Sequence, residues 1–256
     1  MDIDLPAYEN QTVVESYLIP GQPFFLLLTR SFSYFDPFPV ETTQFLEDLL
    51  IEGAEVVISY GDKKVVLAEQ LFINPFTGKL YNYVSPQLVP EDFTSEFQLE
   101  IRTKEGEIIT STTFIPKPII TDSLVVEKSD IDTLYRILAY WTDDPNEDNY
   151  FRRILNIGTT DSVYVDFTLD DRLLDSSKIV VGSGFDFIIG DTLINTIFHV
   201  TKDYYDFANS VFIAESSNGN PFSQPSTIRS NVKGANNPLG IFSGITLDQK
   251  TRVVSE

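Results

Sequence analysis

The apolar residues of this chain come in short runs rich in Val, Ile, Phe and Tyr, each stopped by Gly, Pro, Asn or Asp. That punctuation leaves room for strands and little else, because a helix needs a longer stretch with a 3.6-residue period. Runs at 12–19, 23–30, 54–60 and 63–69 read as strands. The last two join across Tyr60-Gly61-Asp62-Lys63, where glycine can take the positive φ of a tight turn. Runs at 97–103 and 107–115 pair most simply through Lys104-Glu105-Gly106. The 20 Phe and 12 Tyr supply the bulky, β-prone side chains that fill the space between two sheets. The expectation is an all-β protein opening with an immunoglobulin-like β-sandwich.

Two amphipathic stretches interrupt the strands. Thr43 can cap a short helix whose stripe is Phe45, Leu46, Leu49 and Leu50, with Gly53 past its end. A longer helix is expected near 202–215, with Thr201 as cap, Asp203 at the positive end, and Tyr204, Phe207, Ala208, Val211 and Phe212 on one face. Pro116-Lys117-Pro118 removes two backbone donors and suits a stiff connector. The boundary is therefore placed there, giving a sandwich over 1–118 and a second β-rich domain over 119–256. Strands are expected in that domain at 124–126, 134–142, 150–157, 163–168, 178–181 and 193–199, with closing strands at 241–247 and 251–254. The Ser, Asn, Pro and Gly of 220–238 predict a long ordered loop.

With a formal charge of −20 the chain repels phosphate backbones, so nucleic acid is not an expected partner. Its longest apolar runs fall far short of the ~20 residues that cross a bilayer as a helix. Without cysteine there is no thiolate nucleophile, disulfide or thiolate metal site. No cofactor is expected. The opening Met1-Asp2-Ile3-Asp4-Leu5-Pro6 has no basic segment followed by an apolar one, so no secretion signal lies in these residues.

The single histidine, His199, ends an apolar strand beside a helix cap, and a packed structural role is the plainer reading than a catalytic base. Asp170-Asp171-Arg172 reads as a turn with a local ion pair. Asp144, Asn146 and Asp148 match the first three ligand positions of a calcium loop, but Asn149 and Leu155 stand where glycine and glutamate belong. A solvated turn is the favoured reading, with calcium the weaker one. The segment 32–38 packs four rings into a Pro-interrupted loop, making Tyr34, Phe35 and Phe38 candidate partner anchors, together with Phe222 in the long loop.

Several segments together resemble a known family. They are Asp2-Ile3-Asp4-Leu5-Pro6 with Val13-Val14-Glu15, Gly53-Ala54-Glu55-Val56, Ile115-Pro116, Asp122-Ser123-Leu124, Asp144-Pro145 through Asn149-Tyr150-Phe151-Arg152, and Asp170-Asp171-Arg172-Leu173. Asn220-Pro221-Phe222 through Ser230-Asn231-Val232 and Leu239-Gly240-Ile241-Phe242 complete the set. In order and spacing the chain resembles the Bacteroidota lipoproteins grouped as domain of unknown function 4249. The resemblance implies a signal ending in a lipidated cysteine, for which Met1 here looks like a replacement. It also implies an outer-membrane lipoprotein, the cell-surface face favoured over the periplasmic one, partnered with a β-barrel such as a TonB-dependent transporter. The resulting expectation is a non-enzymatic accessory or binding subunit. Two rivals remain: a carboxylate-dependent enzyme on glycan or peptide using Asp144, Asp170 or Asp186, and a carbohydrate-binding β-sandwich using exposed Tyr or Trp141 as a stacking platform.

Overall fold

The computed structural model describes residues 10–31, 42–75, 77–144, 146–172, 177–217 and 227–255, and strands dominate them. In chain order the elements are β1 (Thr12–Leu18), β2 (Pro23–Arg30), α1 (Thr42–Leu49), β3 (Glu55–Tyr60), β4 (Lys63–Ile73), β5 (Leu80–Leu88), β6 (Phe97–Arg102) and β7 (Ile108–Thr113). Then come β8 (Thr121–Lys128), β9 (Tyr135–Thr142), β10 (Tyr150–Ile157), β11 (Val163–Asp170), β12 (Lys178–Gly182), β13 (Thr192–Val200), α2 (Lys202–Ser217), β14 (Lys233–Gly234) and β15 (Leu239–Val253). They divide between two compact units, Met1–Phe114 with Ser210–Ser243, and Ile115–Asn209 with Gly244–Glu256. The units are therefore not the consecutive blocks 1–118 and 119–256. Pro116 and Pro118 begin the second unit rather than end the first, and 210–243 return to the first.

In the first unit the strands run β15-β1-β2-β5-β4-β3-β6-β7-β14. Alternation along β1, β2 and β6 buries every second residue, as a strand with one face on a core requires. The long β4 pairs with β3 from Lys63 to Leu67 and with β5 from Ala68 onward, with an irregularity between Glu69 and Phe72. Such a break lets one strand pass from one sheet of a sandwich to the other. Phe24 on β2 stacks on Tyr60 of β3 at 6.3 Å, and Tyr60 stacks on Phe97 of β6 at 4.7 Å, so the rings bridge the two layers. Strand β5 is the element the sequence does not announce: Asn82, Ser85 and Pro86 break its pattern, and Tyr81 through Ser85 are all buried.

The second unit is a three-on-four sandwich, β12-β9-β8 facing β11-β10-β13-β15, with antiparallel pairing throughout. This is the strand arrangement of an immunoglobulin-like or fibronectin-type domain. Its interior is filled by two clusters, Ile119, Ala139, Trp141, Phe151, Ile179 and Ile197 in one, and Tyr135, Ile137, Leu155, Phe187, Leu193 and Val254 in the other. The two closing strands expected at 241–247 and 251–254 are one strand, because Asp248 and Gln249 continue the ladder opposite Ile197 and Thr196.

Helix α2 is inserted between β13 and β15 and begins as expected, with Thr201 Oγ1 accepting the Tyr204 N–H at 3.2 Å. Tyr204 is buried, whereas Phe212 is exposed and lies off the packed face. After α2, residues 218–226 and with them Phe222 lie outside the described residues, and Lys233–Gly234 adds a short strand opposite Ile109 and Thr110.

Candidate functional site

Register decides which polar residues meet at one end of the second unit. Tyr150 of β10 lies opposite Asp170 of β11 and opposite Val200 of β13, so the residues just before 150, just after 170 and at the end of β13 are neighbours. Asn149 is the hub. Its backbone N–H donates to Asp171 Oδ2 at 2.9 Å, its Nδ2 donates to Asp143 Oδ1 at 2.9 Å, and its Oδ1 lies 3.0 Å from His199 Nε2. The other ring nitrogen, Nδ1, is 2.8 Å from the Lys117 carbonyl oxygen, to which it can only donate.

This geometry links two protonation states. With Nδ1 already donating, a bond from Nε2 to Asn149 Oδ1 describes imidazolium, with Asp143 ionised to accept from Nδ2. Turning the Asn149 amide by half a rotation serves neutral imidazole, but it sets Oδ1 against Asp143, which must then be protonated, and against the Glu147 carbonyl that Nδ2 bonds at 3.2 Å, so it costs that second bond. Burial pushes the His199 imidazole below its usual value, opposed by the Lys117 carbonyl and the charges of Asp171 and Glu147. Asp143 is pushed up to about 7, first by burial and then by sharing a hydrogen bond and repulsion with Asp171. A carboxyl with a raised folded value favours the folded state at acid pH and loses that contribution as pH rises through about 7. Asp143→Asn is therefore expected to flatten the fall in urea midpoint between pH 4 and pH 8, followed by the fluorescence of Trp141, the only tryptophan and a core residue of this unit.

Asp144 Oδ1 accepts from both the backbone and the amide of Asn146 at 3.0 and 2.8 Å, which closes a tight turn on itself. The calcium candidates Asp144, Asn146 and Asp148 thus sit in an exposed turn, and among the described residues no group of three or more His, Asp or Glu side chains is placed to hold a metal ion. Asp170 is clasped by Arg172 at 3.0 Å and by Tyr205 of α2 at 3.1 Å. Asp186 bonds the Tyr164 hydroxyl, whose value that carboxylate, with burial, raises to about 12. The Asp143–Asp171 pair was hidden in the sequence because its members lie in separate loops. Only the β10–β11 register brings them together.

Trp141 is fully buried, with Phe151 edge-on at 5.5 Å, so it cannot serve as an exposed stacking platform. Tyr34, Phe35, Phe38 and Phe222 lie outside the described residues. In the first unit, an open depression of about 610 Å³ lies at the β3–β4 turn, between Tyr60, Asp62 and Lys63 on one side and Pro90, Glu91 and Phe93 on the other.

Among solved structures, the chain is similar to a cytokine receptor complex, with 9% identity over 75% of this chain and 86% of that one, TM-score 0.29. It is also similar to the FN1–FN3 domains of chicken CNTN1, with 8% identity over 74% of this chain and 60% of that one, TM-score 0.28. The sandwich assignment rests on the strand orders above, not on these. No curated protein matches the chain. The family model for the domain of unknown function DUF4249 matches residues 1–251, and the chain belongs to that family.

Proposed function

We propose that this protein is a non-enzymatic binding subunit, lipid-anchored at the outer membrane of a Bacteroidota cell and working beside a β-barrel partner such as a TonB-dependent transporter. One observation carries the choice of binding over catalysis. The acids the sequence singles out for an enzyme are dispersed and already engaged, Asp144 in its own turn, Asp170 with Arg172 and Tyr205, Asp186 with Tyr164, and the acids that do converge, Asp143 and Asp171, are tied to Asn149 and through it to His199. His199 is held by both ring nitrogens, with no hydroxyl nucleophile among its bonding partners in the described residues. A catalytic constellation needs such groups free and converging. The anchor and the transporter rest on the family resemblance.

The test is affinity purification of the full lipoprotein from native membranes in mild detergent, with mass spectrometry of what comes with it. Recovery of a stoichiometric β-barrel protein is the expected result; a lipoprotein that migrates alone overturns the reading. A carbohydrate-binding role finds support in the depression, where the half-buried ring of Phe93 stands among Asp62, Glu91 and Lys63, beside a Tyr60 ring already stacked on Phe24 and Phe97. Lys63 Nζ lies 5.6 Å over the Tyr60 ring, so a sugar would have to displace it to stack. A glycan array negative for every sugar removes this second reading.

A further inference from the structure

Arg153 is the anomaly of the second unit. It points inward from β10 between Phe151 and Leu155, one from each core cluster, and its relative exposure is 0%. Its Nε donates to Asn195 Oδ1 at 2.7 Å and its Nη1 to the Gly182 carbonyl at 3.0 Å. No carboxylate is among these partners. Two buried atoms here have no hydrogen-bond partner among the described residues, Arg153 Nη2 and Asn195 Nδ2, and both are donors.

The covalent geometry of the guanidinium sharpens the point. Nε and Nη2 lie along one edge of the fork, the edge that takes a carboxylate side-on. Neighbouring Arg152 uses that edge on the two oxygens of Asp166, and Arg136 uses it on Glu127. Arg153 instead meets an amide, which supplies one acceptor for Nε and leaves Arg153 Nη2 and Asn195 Nδ2, two N–H groups on each, without a partner among the described residues. Burial lowers the guanidinium to about 10, so it keeps its charge at neutral pH. A buried cation with orphaned donors is costly unless an acceptor of opposite charge completes it.

We propose that the core of the second unit binds a small inorganic anion, of halide size, between Arg153 Nη2 and Asn195 Nδ2. The requirement is set by donors alone: an acceptor carrying no proton takes one N–H from each nitrogen and answers the charge at once. A polyatomic anion would need more acceptor-to-donor matches than these two atoms offer.

Urea unfolding followed by Trp141 fluorescence reads this site, with chloride stepped from roughly 5 to 500 mM and gluconate holding ionic strength constant. The wild-type midpoint is expected to rise with the logarithm of chloride concentration. Asn195→Asp, which places a carboxylate on the Nε/Nη2 edge, is expected to fold and to lose that dependence, so the test survives if Arg153→Met does not fold. Crystals grown in bromide are expected to show an anomalous peak within hydrogen-bond reach of both nitrogens. Equal midpoints in chloride and gluconate, or an ordered water alone at that position, overturns the proposal.

Discussion

Gly240→Ala is expected to cost more than about 4 kcal/mol, the range reserved for substitutions with a severe local cause. Two causes coincide at this position. Its φ of +130° is one that L-residues rarely adopt, and a Cβ there would stand 1.8 Å from the Val14 carbonyl oxygen, with the Val14 C and N at 2.7 and 2.8 Å. All three atoms are main chain, so no rotamer change relieves the contact. Val14 is fully buried in β1 and paired with Leu28 of β2, so pushing it away disturbs two strands of the first unit. Gly21→Ala is the control: its φ is also positive, +79°, but nothing among the described residues lies within 4 Å of the added carbon. That variant should pay only backbone strain, on the order of 1–2 kcal/mol. Chemical denaturation followed by far-UV circular dichroism compares the two, and costs within about 1 kcal/mol of each other would show that the close approach of β15 and β1 is not what demands glycine.

How much of this was legible beforehand depends on whether the signal was local. Strands with one buried face announce themselves by alternation, and β2 and β10 fall where the runs placed them. Helix α2 was readable because Thr201 and a spaced set of apolar residues lie within one segment. Strand β5 was not, because it is buried on both sides and made of Tyr81, Asn82, Tyr83, Val84 and Ser85, so no polar–apolar period survives. The division into units was hidden for a related reason. Pro116 and Pro118 mark a stiff segment, but no local property of 210–243 says that it rejoins the first unit. The site shows the same limit. Asp143 and Asp171 look like ordinary turn acids, and only pairing between β10 and β11 makes them neighbours. Arg153 sits in a run that reads as strand in either orientation, and its burial follows from register alone.

Asn82 is the second position where a large effect is expected, because its side chain does the work of a missing stretch of backbone. The ladder between β2 and β5 runs from Pro23 opposite Leu88 to Leu26 opposite Tyr83 and stops there. Beyond it, Asn82 Oδ1 accepts the Leu28 N–H at 2.8 Å, while Nδ2 donates to the Leu28 carbonyl at 2.9 Å and the Ile51 carbonyl at 3.2 Å. The amide thus carries the bonding on to Leu28, two residues past the end of the ladder, and ties in the segment after α1. Leucine has nearly the same shape and none of these groups. In Asn82→Leu the Leu28 carbonyl keeps the Ile51 N–H at 3.1 Å and the Ile51 carbonyl keeps the Tyr83 hydroxyl at 3.0 Å, but the Leu28 N–H loses its side-chain acceptor. The expected loss is about 3–4 kcal/mol, most of it from burying that donor unpaired. Asn82→Asp separates the donor from the acceptor half. It can still accept from Leu28, but its second oxygen faces two carbonyls and is tolerable there only when protonated. A carboxyl raised in this way stabilises the fold at acid pH and loses that contribution as pH rises through its folded value. The aspartate variant should therefore recover most of its stability at pH 4 and lose it by pH 8, while the leucine variant stays equally destabilised at both. A leucine variant as stable as wild type would mean that the amide bonds contribute nothing beyond filling space.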